Sequence, residues 1–406
     1  MKKVKYLVIG AGITGLSFAK SLKSDDYMII ERDNRIGGLC KTFYENGFVW
    51  DYAGHFFHFH TKKIKDFFEK KIDKSELKIC KKKTKIYYKN NWIDYPFQKN
   101  IHQLEKEEFI ECLLDVYMKK EKKNYGDFQD MLYGKFGKGI TEKFLKPYNE
   151  KLYACLLSSL DVDAMGRFFP YANFEEIMEH IKNGITNSYN DIFQYPIQGA
   201  QKFVDILEKE IDSSKVLLNS DLKKVDYKRK IAVVNSEEIQ YEFLINTIPL
   251  KYFSELLYKK IEDTPLMSGN KVLVFNLGFN KKTNIKDLHW IYFPEKEINF
   301  YRVGFYDNIL DEKLGSMYVE IGFSEKENID IDKELEKVIL NLKKCKIIDE
   351  ETEIISKMHL IIELGYVHIS KIEEIQKYKK KLKEYNTLLM RNYGGDYLEG
   401  GRMAPI

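Results

Sequence analysis

"KYLVIGAGITGLSFAKSL", residues 5–22, is the stretch on which the fold turns. A short apolar run stops at Gly10, and beyond Gly15 the apolar residues recur at helical spacing. In a strand–G-x-G-x-x-G–helix unit each glycine has a separate task. Gly10 permits the tight turn, Gly12 lets a pyrophosphate approach the backbone, and Gly15 lets the helix pack closely on the strand. The helix start at Ile13 and Thr14 then offers N–H groups and a partial positive charge to phosphates. A second apolar strand, "YMIIE", ends in Glu31, about 20 residues further on, where an acid for the ribose hydroxyls is expected. The pattern points to a dinucleotide.

Working outward, Glu31 is followed by Arg32 and by "NRIGGLCKT", with Gly37-Gly38-Leu39 on a loop. This resembles the second glycine signature of the large FAD-dependent family that includes amine oxidases and protoporphyrinogen oxidases. The resemblance implies FAD, with Arg32, Gly37, Gly38 and Leu39 beside it.

The 406 residues allow two or three domains. Net charge is only +4, from 66 basic and 62 acidic residues, which argues against general nucleic-acid binding. Five scattered cysteines without a C-x-x-C pair argue against a disulfide framework or a zinc site, and fit a reducing compartment. The N-terminal apolar run is too short for a signal or a membrane span, so a soluble, cytoplasmic protein is expected.

Further along, "TKIYYKNNWIDYPF" (84–97) alternates like two strands joined by an Asn-Asn turn. From 101 to about 190 the spacing is helical, and Leu104, Ile110, Leu113, Leu114 and Tyr117 form one apolar stripe. Asn173, three residues before Glu176, is an N-cap signal. The meander 215–249 is expected to end in the nucleotide sheet, and the later runs to build a large antiparallel sheet. The expected architecture is α/β: a Rossmann-like FAD-binding domain from 1–75, 192–255 and 376–406, a helical domain at 99–191, and an antiparallel substrate domain from 76–98 and 256–375.

"DYAGHFFHFH" (51–60) gathers three of the eight histidines. Metal-binding histidines on a helix want an i, i+4 spacing, and this Gly-hinged aromatic segment does not read as a helix, so no metal is expected. Together with "IDYPFQKNIHQL", "KPYNEKLYA", "MGRFFPYAN", "WIYFPEKEINFYRVGF", "LGYVHI" and "RNYGGDYLEGG", it resembles the UDP-galactopyranose mutase family over nearly the whole chain. The resemblance puts Gly54 and His55 against the flavin, with His60 as the second loop histidine. It implies diphosphate clamping by Arg167 and Arg302, and hydroxyl donors at Tyr95, Tyr292, Tyr366 and Tyr397 around the same phosphates or the sugar. Tyr95, Gln98, Phe144, Asn149 and Tyr153 become substrate-binding candidates, with Phe144 a stacking face for uracil. Arg391 and Glu399 become flavin contacts. Guanidinium groups suit a diphosphate because they bind it through paired, charge-assisted hydrogen bonds.

The implied activity is interconversion of pyranose and furanose forms of a UDP-sugar or related nucleotide sugar, for surface polysaccharide synthesis. The family's reduced FAD attacks the anomeric carbon through N5, without net redox, so a reductant is an implied partner, and a homo-oligomer is possible. Where the family has a second glycine in the histidine loop this chain has Ala53, where it has a tryptophan near the sugar this chain has Tyr153, and "GYVHI" lacks the usual proline. The family also continues into a helix beyond "EGGRMAPI", so weaker FAD binding is expected. Two alternatives stay open: an amine-oxidase-like FAD oxidoreductase, and a truncated non-catalytic nucleotide-sugar binder.

Overall fold

The computed structural model describes residues 1–59, 61–165, 171–183, 191–261 and 264–390. Its first sheet is built around the strand Lys2–Ile9, whose Leu7, Val8 and Ile9 are almost fully buried. Burial on both faces is what a parallel strand with helices above and below requires. Val8 packs with Leu16 and Ala19 of the helix Ile13–Ser21 and with Phe203 and Leu207 of the helix Gln201–Glu208. Leu7 and Ile9 face the other way, toward Phe253, Tyr378 and Leu382.

The strand order in this sheet is Leu222–Asp226, Ile231–Val234, Glu237–Asn246, Lys2–Ile9, Tyr27–Ile30, Val216–Leu217, with Thr387–Leu389 also paired to Glu237–Asn246. Lys2–Ile9 runs parallel to both neighbours. The meander therefore does return to the nucleotide sheet. The strand Ile192–Pro196, assigned by sequence to the same unit, instead pairs with Leu77–Lys81 in a separate two-stranded sheet.

The second sheet has eight strands, in the order Ile354–Ile362, Met267–Phe279, Ser316–Ser324, Arg302–Phe305, Trp290–Tyr292, Thr84–Tyr88, Asn91–Asp94, with Val367–Ile369 alongside Met267–Phe279. All pairs are antiparallel except that between Trp290–Tyr292 and Thr84–Tyr88. Side chains alternate between its faces. Val303, Phe305, Met317, Val319 and Ile321 pack against Leu335, Val338 and Leu342 of the helix Ile331–Lys344. Arg302, Gly304, Tyr318, Glu320, Trp290 and Tyr292, at the intervening positions, all look the other way.

Two local expectations needed correction. The hairpin turn after Tyr88 is Lys89-Asn90, both with positive φ (49° and 63°), and Asn91 already pairs with Tyr88. In the helix Lys106–Met118 the residues that enter the core are Cys112 and Val116, with Phe109 and Leu113 beside them; Ile110, Leu114 and Tyr117 point outward. The inward face is chosen by the next helix, Phe128–Ile140, where a Cβ on Gly139 would lie only 3.0 Å from the Cys112 backbone. The helix Phe174–Asn183 starts as expected, Glu176 N–H donating to Asn173 Oδ1 at 2.8 Å. No helix among the described residues is long and apolar enough to cross a membrane.

Candidate functional site

At the carboxyl end of Lys2–Ile9 the chain turns at Gly10, whose φ of +98° an L side chain rarely adopts. A Cβ on Gly15 would sit 2.0 Å from the Gly10 carbonyl oxygen, so only glycine lets the helix come this close. That helix begins with no side-chain cap and no acid in its first turn, leaving the N–H groups at Ile13 and Thr14 directed at whatever lies in front. Glu31 is buried, its Oε2 accepting from Ala11 N–H at 2.8 Å and its Oε1 from Asp33 N–H at 3.1 Å. The carboxylate is thus fixed in orientation, and its remaining lone pairs suit ribose hydroxyls.

The second glycine loop lies against the first. Gly37 N–H donates to the Ala11 carbonyl at 2.9 Å, and a Cβ on Gly38 would be 3.4 Å from the Gly12 Cα. Gly37 has φ +127°, and Leu39 follows in the short turn Gly38–Cys40. Arg32 is exposed, 3.7 Å from Asp33. Two side-chain-free backbones beside an uncapped helix start form a cradle of the shape and polarity that a pyrophosphate needs.

From the cradle the chain passes through the hairpin Thr42–Glu45/Phe48–Asp51 to the histidine segment. Asp51 is fully buried, accepting from Thr42 Oγ1 at 2.5 Å, Tyr195 Oη at 2.7 Å and Ala200 N–H at 3.2 Å. Burial nonetheless pushes its carboxyl up to about 7. Gly54 lies under Tyr318, whose hydroxyl would be 2.2 Å from any Cβ there. The His55 N–H donates to Ala53 O at 2.7 Å, and the His58 ring nitrogen Nδ1 lies 3.0 Å from Ile192 O. His60 lies outside the described residues.

Past Tyr318 lies the polar face of the second sheet. Arg302 and Tyr292 are cross-strand partners, and so are Arg302 and Glu320. The guanidinium grips Glu320 through Nε and through Nη2, the latter at 2.7 Å. The Glu320 side chain is 3% exposed and that of Arg302 23%. Burial works against the arginine's charge, and Glu320 outweighs it, so the group stays cationic. Tyrosines wall the site. Tyr292 meets Tyr95 at 5.1 Å and Tyr148 at 5.4 Å between ring centroids, and Tyr153 meets Tyr366 at 5.6 Å. Burial raises the Tyr292 hydroxyl while Arg302 pulls it back. Trp290 donates from Nε1 to the Tyr292 hydroxyl at 2.8 Å, and stacks on Phe56 of the histidine segment at 5.5 Å.

The helix Lys146–Tyr153, entered through a π-helical turn at Thr141–Leu145, supplies the remaining wall. Phe144 is stacked on Phe97 at 5.1 Å and Tyr148 at 5.3 Å and is 4% exposed, so it backs the tyrosines from within the core. Asn149 donates to Leu145 O at 2.6 Å, while its Oδ1 is buried and has no hydrogen-bond partner among the described residues. Gln98 is fully buried in the turn Phe97–Lys99. Lys151 donates to the carbonyls of Phe293, Glu295 and Phe300, fastening this helix to the loop that joins the Tyr292 and Arg302 strands.

The structure thus brings Arg302, Tyr292, Tyr95, Tyr153 and Tyr366 to one face, with Gly54 and His55 adjoining, and sets the cradle residues at the other end of the hairpin. Arg167, Arg391, Tyr397 and Glu399 lie outside the described residues. Sequence reasoning missed Tyr148, Tyr318 and Glu320. A signal for the last existed: it is the lone charge within the strand Ser316–Ser324, "SMYVEIGFS".

Residues 8–70 match the family model of an NAD(P)-binding Rossmann-like domain. The whole fold is similar to that of a reduced UDP-galactopyranose mutase, at 22% identity over 95% of this chain and 89% of that chain, with a TM-score of 0.86. It is also similar to a putative protoporphyrinogen oxidase from Exiguobacterium sp. 255-15, at 14% identity over 96% and 93% of the two chains, TM-score 0.74. A cyclohexylamine oxidase from Brevibacterium oxydans IH-35A follows, at 11% identity over 95% and 92%, TM-score 0.66. The fold is the one that this mutase and these oxidases share. Its Rossmann-like unit is the glycine cradle with Glu31.

Proposed function

We propose that the protein is an FAD-dependent nucleotide-sugar mutase, interconverting pyranose and furanose forms of UDP-galactose or a related sugar. The observation that carries this reading is Arg302, held cationic and bidentate by Glu320 beside the packed rings of Tyr95, Tyr148, Tyr292 and Tyr318. A guanidinium has five N–H donors, and those not given to Glu320 suit a diphosphate. The buried Asn149 Oδ1 supports a ligand that donates a hydrogen bond there, as a uracil or ribose does. The likeness to the mutase in fold supports the same reading.

Reduced flavin, once bound, supplies a nucleophile for the anomeric carbon. The chain's own groups do the rest. Gly10 to Gly15, Glu31, Arg32 and the Gly37-Gly38-Leu39 loop would hold the dinucleotide, with Arg391 and Glu399 as further contacts. Gly54 and His55 would adjoin it on the side of the second sheet. Arg302, with Arg167, stabilises the departing diphosphate, and Tyr292, Tyr366 and Tyr397 orient it by hydrogen bonds. Tyr95, Gln98, Asn149 and Tyr153 shape the pocket for base and sugar, while Phe144, both of whose faces are taken by Phe97 and Tyr148, backs them from the core instead of stacking on uracil.

The test is anaerobic. Protein with excess FAD is incubated with UDP-galactofuranose, with and without dithionite, and the nucleotide sugars are resolved by anion exchange. Pyranose formed only under reduction is the expected result. Consumption of a primary amine with release of hydrogen peroxide in a parallel aerobic incubation, and no isomerisation of any nucleotide sugar under reduction, would overturn the reading in favour of an oxidase.

A further inference from the structure

The last carbonyls of a helix have no partner within it and must be received from outside. The helix Lys146–Tyr153 sets its end on the polar face of the second sheet. A Cβ on Gly322 would lie 2.2 Å from Lys151 O, so only glycine admits the helix end at that point. Asn270 Nδ2 donates to Leu152 O at 2.7 Å. His368 Nε2 lies 2.8 Å from Tyr153 O, and because a carbonyl only accepts, that nitrogen carries the proton. His368 Nδ1 in turn lies 3.2 Å from Ser268 Oγ.

Asn270 is fully buried and uses both ends of its amide, for its Oδ1 accepts from Tyr366 N–H at 2.8 Å. The main chain joins the same two segments: Asn270 N–H donates to Tyr366 O at 3.1 Å, and Gly365 N–H to Asn270 O at 2.8 Å. Across the sheet Asn270 stands opposite Ser324 and Val274 opposite Glu320, so the Asn270 side chain shares a face with the Arg302–Glu320 pair. One amide therefore meets three parts of the candidate site: the helix with Asn149 and Tyr153, the turn with Tyr366, and the sheet face with Arg302. Tyr153 and Tyr366 meet edge to face at 5.6 Å across the gap it spans. Burial opposes the Arg302 charge, and Tyr366 stands with Glu320 and Tyr318 among the groups that favour it.

We infer that Asn270 is a positioning residue, which sets the distance between the helix wall at Tyr153 and the turn at Tyr366, and so aims the Tyr366 hydroxyl beside Arg302. With no exposed surface it acts only through these neighbours. The inference rests on the function proposed above for what the two walls hold, and on the hydrogen bonds alone for the clamp itself. A displacement of about 1 Å at a reacting group, caused from a distance, can cost about 100-fold in rate.

The experiment sets Asn270→Leu, close in size but without the amide, against Asn276→Leu. Asn276 lies on the same strand and face, is equally buried, and donates to Asp51 O at 2.9 Å, away from both walls. Each change is made in the full chain with FAD, alone and together with Tyr366→Phe, and conversion of UDP-galactofuranose is followed under reduction. Tyr366→Phe alone should lower kcat about 100-fold. Asn270→Leu should also lower it about 100-fold, and Tyr366→Phe should then cost less than about threefold more, since the hydroxyl is already out of place. In Asn276→Leu the full cost of Tyr366→Phe should remain, although both leucine variants melt roughly 2–5 °C lower. Hydrogen exchange across 364–368 reads the clamp without catalysis, and should quicken about tenfold or more in Asn270→Leu and not in Asn276→Leu. If Asn270→Leu does not fold, Asn270→Ser, in which a water can take up the hydrogen bonds, should show the same loss of coupling in smaller measure. Unchanged exchange across 364–368 overturns the clamp. An equal cost of Tyr366→Phe with and without Asn270 overturns the positioning role and leaves a structural residue. A wild type that isomerises no nucleotide sugar overturns the proposed function instead, and hydrogen exchange alone then decides the clamp.

Discussion

Replacing Arg302 by methionine separates what this residue does for the fold from what it does for a ligand. Methionine keeps much of the apolar stem and removes the guanidinium. Glu320, with its side chain 3% exposed, is then left as a buried carboxylate whose counter-charge is gone. Breaking a buried pair from one side costs about 3–5 kcal/mol, because the surviving charge has lost its compensation. For 406 residues at about 2.1 cal/mol/K of unfolding entropy each, that is a fall in Tm of about 4–6 °C. Arg302→Met combined with Glu320→Gln removes both charges, and most of the lost stability should return. Activity should behave differently. On the proposed function, removing the guanidinium should cost the departing diphosphate about 2–4 kcal/mol of transition-state stabilisation, by analogy with one oxyanion donor, whether or not Glu320 is also changed. The assays are calorimetric melting and anaerobic conversion of UDP-galactofuranose, run on the wild type and on both variants. If Arg302→Met melts within 1 °C of wild type, the pair is not the buried contact described. If the double variant isomerises substrate at the wild-type rate, Arg302 is a structural residue and the phosphate role is wrong.

Three further outcomes follow from the geometry. Gly15→Ala drives a methyl to 2.0 Å from the Gly10 carbonyl, so the helix must shift, and flavin retained through gel filtration should drop sharply for about 1–3 kcal/mol of lost stability. Asp51, raised to about 7 in the fold, favours folding fully below its unfolded value near 3.9 and loses that contribution as pH climbs through 7. Urea unfolding between pH 4 and 7 should therefore show wild-type stability falling by up to about 1.4 kcal/mol per pH unit from this group, and Asp51→Asn should flatten the slope; equal slopes would contradict it. Lys151→Met orphans the carbonyls of Phe293, Glu295 and Phe300, at about 2–3 kcal/mol, and hydrogen exchange across 293–301 should quicken while the first sheet stays protected.

How much of this could be read from the sequence depended on how local the physics is. The glycine turn and Glu31 were legible because one strand, one turn and one helix start decide them within a few residues of each other. The Arg302–Glu320 grip was not, because it arises from the register between two strands 18 positions apart, and a sequence carries no direct record of register. The helix Lys106–Met118 misled for a related reason. Its apolar residues fill two faces, periodicity alone cannot rank them, and the choice is made by Gly139 on another helix, which lets the Cys112 side approach. The turn at Lys89-Asn90 slipped by one because Ile86, Tyr87 and Tyr88 are buried on both faces, so neither burial alternation nor the Asn pair marks where Tyr88 meets Asn91.

The sheet order has a consequence for how the chain is made. Of the three strands at the centre of this sheet, Lys2–Ile9 is synthesised before Tyr27–Ile30, which follows at once; its neighbour on the other side, Glu237–Asn246, is synthesised more than two hundred residues later. At about 5–20 residues per second the apolar edge of that first strand waits roughly 10–45 s before it is covered. An open edge of that kind invites pairing with other nascent chains. The sheet that carries the glycine cradle is thus begun before the second sheet and closed only when Thr387–Leu389 pairs with Glu237–Asn246, and holdase chaperones on the emerging chain should decide the yield of folded protein more than its final stability does.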